Sequence, residues 1–258
     1  MKLKKIRRVG DLTAEVFSEL ISDKSIFVQP LGAIEQHGPH LPLNTDEVIA
    51  TAFAEESVAK YGEQFDVWLL PTMSYTKSNE HAWSPGTIWL SSKTMQANLY
   101  DVGRCIARSS SKKLIFLNAH GGNSGLVDVM NRELRLDFGL KTFLVHPLLP
   151  ADHGGISAAS ELGMGIHGGN DETSIMLFLR QELVDMDKAV KCVPEKLLGN
   201  KHITFGGTVS FGWLSNDLSP LGHIGDPTTA TVEQGRKLFE AGVAFMGEVF
   251  GEVANFEF

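Results

Sequence analysis

Short apolar runs alternate along this chain with segments of helical period, and two of those runs stop at clusters of carboxylate and imidazole residues. Ser25 to Leu31 leads into Glu35-Gln-His37-Gly-Pro-His40-Leu-Pro-Leu-Asn-Thr-Asp46, and Lys113-Leu-Ile-Phe-Leu-Asn118 leads into Ala119-His120-Gly-Gly-Asn123. Alternation of strand and helix points to an α/β fold. In open parallel sheets ligands bind beyond the carboxyl ends of the strands, so residues far apart in sequence can converge on one rim.

The period of the apolar residues and the turn chemistry place the elements. Asp11 or Thr13 caps a helix to about Ser22, Ser25 to Leu31 is a strand, and Asp46 to Lys60 is a helix. Asp66 to Pro71 reads as a strand, Ser92 caps a helix to about Ser109, and Lys113 to Asn118 is the next strand. Leu126 to Phe138 is a helix closed by Gly139, and Lys141 to His146 a strand stopped by Pro147. Asp171 to Leu183 is helical, His202 to Trp213 is expected to form a hairpin, and Thr228 to Phe250 makes a long last helix behind Pro227. No repeat or interdomain linker interrupts the pattern, so residues 1–258 are expected to form one domain.

Composition narrows the function. The formal charge is 23 − 31 = −8, which disfavours a nucleic-acid surface and gives no attraction to anionic lipid. No apolar run is long enough to span a bilayer, and the basic Lys2 to Arg8 stretch lacks the apolar segment of a signal peptide. A cytoplasmic protein acting on a small molecule is expected. Cys105 and Cys192 have neither disulfide-framework nor zinc-knuckle spacing and read as reduced thiols.

Taken singly, Glu35 reads as a surface carboxylate, His37 or His40 as a loop imidazole and Asp46 as a helix cap. Taken together at the ends of apolar strands, such groups need paired or metal-bound surroundings once desolvated. Mixed carboxylate and imidazole ligation suits Zn, Mn or Fe, and one carboxylate can bridge two ions. Glu35, His37, Asp46 and His120 supply that set, while Glu47 reads as a surface residue at the helix start.

Gly163-Met-Gly165-Ile-His167-Gly168 satisfies Gly-x-Gly-x-x-Gly, but Ile156 to Leu162 before it reads as helix rather than strand, so the dinucleotide context is missing. The alternative is that His167 relays protons and Glu172 binds metal from a helix N-terminus. Lys77 to Thr87 reads either as a pocket-lining loop or as a plain Pro-Gly turn, and His223 either as a packing or as a functional residue.

Four motifs, Gly32 to Asp46, Asn118 to Asn123, His167-Gly-Gly-Asn-Asp-Glu172-Thr-Ser and Gly225-Asp226-Pro227-Thr, fall in order across nearly the whole chain. In them the sequence resembles the creatininase (creatinine amidohydrolase) family. The resemblance implies a three-layer α/β/α sandwich with a mainly parallel central sheet, a centre of two divalent ions (Zn, Mn or both, with Fe a further option), and commonly a homohexamer. By position it implies that Glu35 binds one ion, His37 and His120 the other, and Asp46 both. His167 takes the place of the proton-handling histidine, and Ser78 falls in the substrate-contacting loop. Two positions depart from creatininases proper: Gly122 stands where they carry a metal-binding glutamate, and Gly163 where they carry a tryptophan over the creatinine ring. Glu172 is the expected substitute ligand, and creatinine is not the expected substrate. The expected reaction is hydrolysis of a C–N bond in a small amide, cyclic amide or formamide by a hydroxide activated between two metal ions. The rivals are hydrolysis of a C–C bond in a cyclic ketone of sugar or inositol degradation, and a metal-dependent binding protein without turnover.

Overall fold

The computed structural model describes residues 6–147 and 158–258. Its framework is a four-stranded, wholly parallel sheet in the order β2-β1-β3-β4. The strands are β1 (Ile26–Leu31), β2 (Val67–Leu69), β3 (Lys113–Asn118) and β4 (Lys141–Val145). The helices are α1 (Ala14–Leu20), α2 (Thr45–Phe65), α3 (Ser92–Ala107), α4 (Ser124–Phe138), α5 (Asn170–Arg180), α6 (Ser215–Leu218) and α7 (Val232–Asn255).

Every residue of β1 and β3 is buried, as near-continuous apolar runs covered on both faces must be. Period-two alternation sorts their side chains into two cores. Ile26, Val28, Ile115 and Leu117 pack with Ile49 and Phe53 of α2, Ile175 of α5 and Phe239, Val243, Met246 and Phe250 of α7. Phe27, Leu31, Leu114 and Phe116 pack on the other face with Met95 and Leu99 of α3 and Val127, Met130 and Leu134 of α4. Helices on both faces of a parallel sheet make the three-layer α/β/α arrangement. Truncating one of the buried phenylalanines to alanine costs about 3–5 kcal/mol in such a core.

Local chemistry sets the boundaries. Thr13, Ser91 and Thr231 accept hydrogen bonds from Val16, Thr94 and Gln234 N–H and so start α1, α3 and α7. α4 ends at Gly139 in the left-handed region, φ 68°. α2 ends at Asp66, a non-glycine residue with φ 53°, a conformation costing about 1–2 kcal/mol. Its carboxylate offsets that cost by accepting from Ser25 Oγ (2.5 Å), Trp68 Nε1 (2.9 Å) and Arg7.

Several expected elements differ from those observed. The hairpin over 202–213 does not form: Ile203 and Val209 make only an isolated parallel bridge around a glycine-rich turn. α5 stops at Arg180 and continues as a 3-10 turn, Gln181–Leu183. The last helix starts at Val232 rather than Thr228, because Asp226 closes Pro227–Thr229 into a separate 3-10 turn by accepting from Thr228 N and Oγ1. Ser91, not Ser92, caps α3. The helix expected over 156–162 lies partly outside the described residues, and its described part is a 3-10 turn, Ala159–Glu161. No helix among the described residues is long and apolar enough to cross a membrane.

Candidate metal centre

Three segments deliver the polar residues to the carboxyl edge of the sheet. After β1 the chain passes over the start of α2 at Gly32, where an added Cβ would stand 2.6 Å from Glu47 Cα. It then loops through Glu35 and His37 and returns into α2, whose first turn carries Asp46. His120 follows β3, tied by Asn118, which accepts from His120 N–H (3.2 Å) and donates to the His120 carbonyl (2.7 Å). Glu172 lies in the first turn of α5, and like Asp46 it sits where the helix dipole favours a carboxylate. Asp46 is thus inside its helix rather than capping it.

Glu35, His37, Asp46 and His120 are almost wholly buried. His37 Nε2 lies 3.1 Å from Asp46 Oδ1, while His120 Nδ1 lies 3.2 Å from Asp46 Oδ2 and 3.3 Å from Glu35 Oε2. Asp46 therefore offers one oxygen to each imidazole. Glu35, Asp46 and His120 form one cluster able to hold an ion, and His37, Asp46 and Glu172 form another. This divides the residues differently from the resemblance: His120 groups with Glu35, and His37 with Glu172. A third grouping joins Glu35, His37 and His167.

The outer contacts settle which imidazole nitrogens face inward. His37 Nδ1 donates to the Glu35 carbonyl (3.2 Å), which leaves Nε2 bare toward Asp46. His120 Nε2 donates to the Lys77 carbonyl (2.7 Å), which leaves Nδ1 bare toward Glu35 and Asp46. Both Glu35 oxygens and Asp46 Oδ2 are buried and receive no aligned hydrogen bond from the described residues. Lone pairs thus face lone pairs, and a cation between them satisfies both sides. Without one, protons fill that role. Burial alone would push the His37 imidazole down, but Asp46, Glu172 and Glu35 outweigh it and carry it up to about 10. His120 is likewise raised, against its burial, by Glu35 and Asp46. Burial pushes Glu172 up to about 7.

His167 has the opposite character. Burial, with His37 and His81 nearby, holds it well below the ordinary imidazole range. Its Nε2 donates to the Gln36 carbonyl (2.7 Å), and Nδ1 faces Glu35 Oε1 at 3.6 Å. It borders a cavity of about 380 Å³ that is also lined by Asn118, His146, Ile166, Glu172 and Phe205. Ser78 is buried with its hydroxyl unpartnered among the described residues, and it is not among the residues lining that cavity. His40 and His223 bond to Thr173 Oγ1 (3.0 Å) and the Val190 carbonyl (2.8 Å), holding loops behind the site.

Sequence reasoning passed over three residues in contact with the centre. His81 Nε2 lies 3.4 Å from Glu35 Oε1, and its ring stacks on His167 with centroids 4.1 Å apart. Glu80 Oε1 lies 3.4 Å from His120 Nε2. The Gln36 amide accepts from Gly38 N–H (2.9 Å) and donates to the Gly222 carbonyl (2.9 Å), which fixes its orientation and aims the nitrogen at His81 Nδ1, 2.8 Å away. The one available signal was the polar loop from Lys77 to Thr87.

A profile of the creatininase family, described as creatinine amidohydrolase, matches residues 10–250. The chain belongs to the creatininase family. A mycofactocin precursor peptide peptidase of Mycobacterium ulcerans is 34% identical over 90% of this chain and 86% of its own length. A creatinine amidohydrolase of Pseudomonas putida is 32% identical over 72% of this chain and 76% of its own. A crystal structure of creatinine amidohydrolase superposes with a TM-score of 0.77 at 25% identity, covering 98% of this chain and 100% of that one. Creatininases described as a Mn form and as a mutant of Zn-Zn type superpose at TM-scores of 0.74 and 0.73, each 26% identical over 96% of this chain and 98% of theirs. Family membership and the buried carboxylate and imidazole clusters make this protein a metal-dependent hydrolase.

Proposed function

We propose that this protein hydrolyses the C–N bond of an amide at a centre of two divalent ions, zinc or manganese. One is held by Glu35, Asp46 and His120 and the other by His37, Asp46 and Glu172. The observation that carries this reading is the set of bare, buried acceptor atoms facing one another across Asp46. Ions there supply a water acidic enough to ionise near neutrality and a positive charge for the substrate carbonyl oxygen. His167 is the proton carrier: its Nδ1 is free, its neutral form is favoured, and it borders the cavity. Nδ1 takes the proton of the attacking water and passes it to the leaving nitrogen.

The relatives support an amide substrate, since those named above are a peptide peptidase and an amidohydrolase. We assign a peptide or small-molecule amide other than creatinine, with Gly163 leaving the ring-covering position open. A homohexamer is our expectation for the assembly, checked by sedimentation. The test of the chemistry is metal analysis together with activity on peptide and small-amide panels before and after chelation. Loss of activity on chelation, its return with zinc or manganese, and release of amine or ammonia are expected. Full activity in the metal-free protein would refute the metal centre, and ring opening of a cyclic ketone without amine release would refute the amide assignment.

A further inference from the structure

His120 is approached from two sides. Its Nδ1 faces Glu35 and Asp46, and behind it the segment Lys77 to Glu80 closes over Nε2. The Lys77 carbonyl accepts from Nε2 at 2.7 Å, Glu80 Oε1 stands 3.4 Å away, and Lys77 Nζ pairs with Glu80 Oε2 at 3.4 Å. Lys77 N–H donates to Asn123 Oδ1 (3.1 Å), and Asn123 Nδ2 donates to Asn118 Oδ1 (3.1 Å), so the segment is bolted to the turn that carries His120. The Glu80 side chain is only 12% exposed.

Gly122 makes this arrangement possible. A Cβ there would fall inside contact distance of both Glu80 Oε1 and His120 Nε2. Gly122 has no positive φ, so glycine is needed there for room and not for conformational freedom.

We infer that Glu80 is the positioning carboxylate of His120: with the Lys77 carbonyl it keeps the proton on Nε2 and the bare Nδ1 toward Glu35 and Asp46, and Gly122 is the space it needs. Imidazole ligands whose far N–H meets a carboxylate or carbonyl are oriented and made more basic, and loss of such a partner typically weakens metal binding about 10–100-fold. The carboxylate that creatininases proper carry at the position of Gly122 is thus replaced in space, but not in role, by one from the loop before α3. This inference rests on the metal centre assigned above.

The test measures zinc affinity of the full chain by competition with a chromophoric chelator. Glu80→Gln and Glu80→Ala are expected to weaken zinc binding about 10–100-fold. Gly122→Ala, whose Cβ would press on both Glu80 Oε1 and His120 Nε2, should do the same. In cobalt-loaded protein the shifted, exchangeable Nε2–H resonance of His120 should be sharp in the parent chain and broadened by exchange in Glu80→Ala, which a merely structural role would not produce. Parental zinc affinity in Glu80→Gln or an unchanged resonance in Glu80→Ala would overturn the inference while leaving the metal centre standing. A parent chain that binds no zinc would overturn both.

Discussion

Metal loading of this protein should be a proton-release reaction. In the metal-free chain a proton on His37 Nε2 bridges toward Asp46. His37, carried up to about 10, is protonated at pH 8, and His120 is raised in the same direction by Glu35 and Asp46 against its burial. A proton on an inward-facing nitrogen must leave for an ion to bind, so His37 alone accounts for about one proton released at pH 8. Glu172, pushed up to about 7, is mostly ionised at pH 8 and mostly protonated at pH 6, which adds nearly one proton to the count on the acid side. Each released proton makes binding about tenfold weaker per pH unit of acidification, so the overall constant for two ions falls by at least about one decade from pH 9 to 8 and by nearly two from pH 7 to 6. Titration calorimetry with zinc in buffers of different ionisation enthalpy counts the protons directly. His37→Asn should remove about one of them. Release of less than one proton at pH 7, or an unchanged count in His37→Asn, would refute the facing-acceptor geometry.

Three further outcomes are expected. Glu172→Gln should lower the bound zinc from two ions to one without unfolding the chain, because Glu172 belongs only to the cluster with His37; two retained ions by metal analysis would remove it from the centre. His167→Asn should keep both ions and lose about 100- to 10,000-fold in turnover on the best amide of the panel, and near-parental turnover would exclude the proton-carrier role. Gly235→Ala should destabilise the protein by about 1–3 kcal/mol in denaturant melts, because a Cβ there would press on the Ser174 carbonyl where α7 crosses α5; an unchanged midpoint would refute that close approach.

Much of this fold was readable from apolar period alone. β3 was expected with its observed ends, and β1 to within one residue, because both strands are buried on both faces and bounded by turn residues. The helices α2, α4 and α7 were found with shifted ends: α7 starts where the Thr231 hydroxyl caps it, while α2 and α4 start after Asn44 and Asn123 without a side-chain cap bond to mark them. The hairpin over 202–213 is absent because the segment turns back through Gly206 and Gly207 into a single parallel bridge between Ile203 and Val209, not an antiparallel pairing. That Glu35, His37, Asp46 and His120 would meet at one rim was readable, because charge at the end of an apolar strand is costly unless matched. The grouping of His120 with Glu35 and of His37 with Glu172 was not readable, for it depends on where the loop after β1 and the start of α5 set each side chain. Gln36, Glu80 and His81 escaped for a related reason: their side chains are ordinary polar residues until the loop path brings them together.

That path begins with a hydrogen atom that is missing. Pro30 lies inside β1, and its carbonyl points to the β2 side, where it accepts from Met73 N–H (3.0 Å). Its ring nitrogen has no hydrogen to give on that same side. β2 keeps register only as far as Leu69 opposite Val28, after which Pro71 and Thr72 swing out and the chain rejoins β1 at Met73. Gln29 Nε2 holds the excursion by donating to the Pro71 carbonyl (2.7 Å), and Thr72 Oγ1 bonds to Thr51 Oγ1 (2.8 Å). Pro30 thus acts as a reading-frame marker for the residues that follow. An N–H at that position would invite regular pairing, and a one-residue slip would send Glu80 where His81 now stands, exchanging the partner of one imidazole for the partner of Glu35.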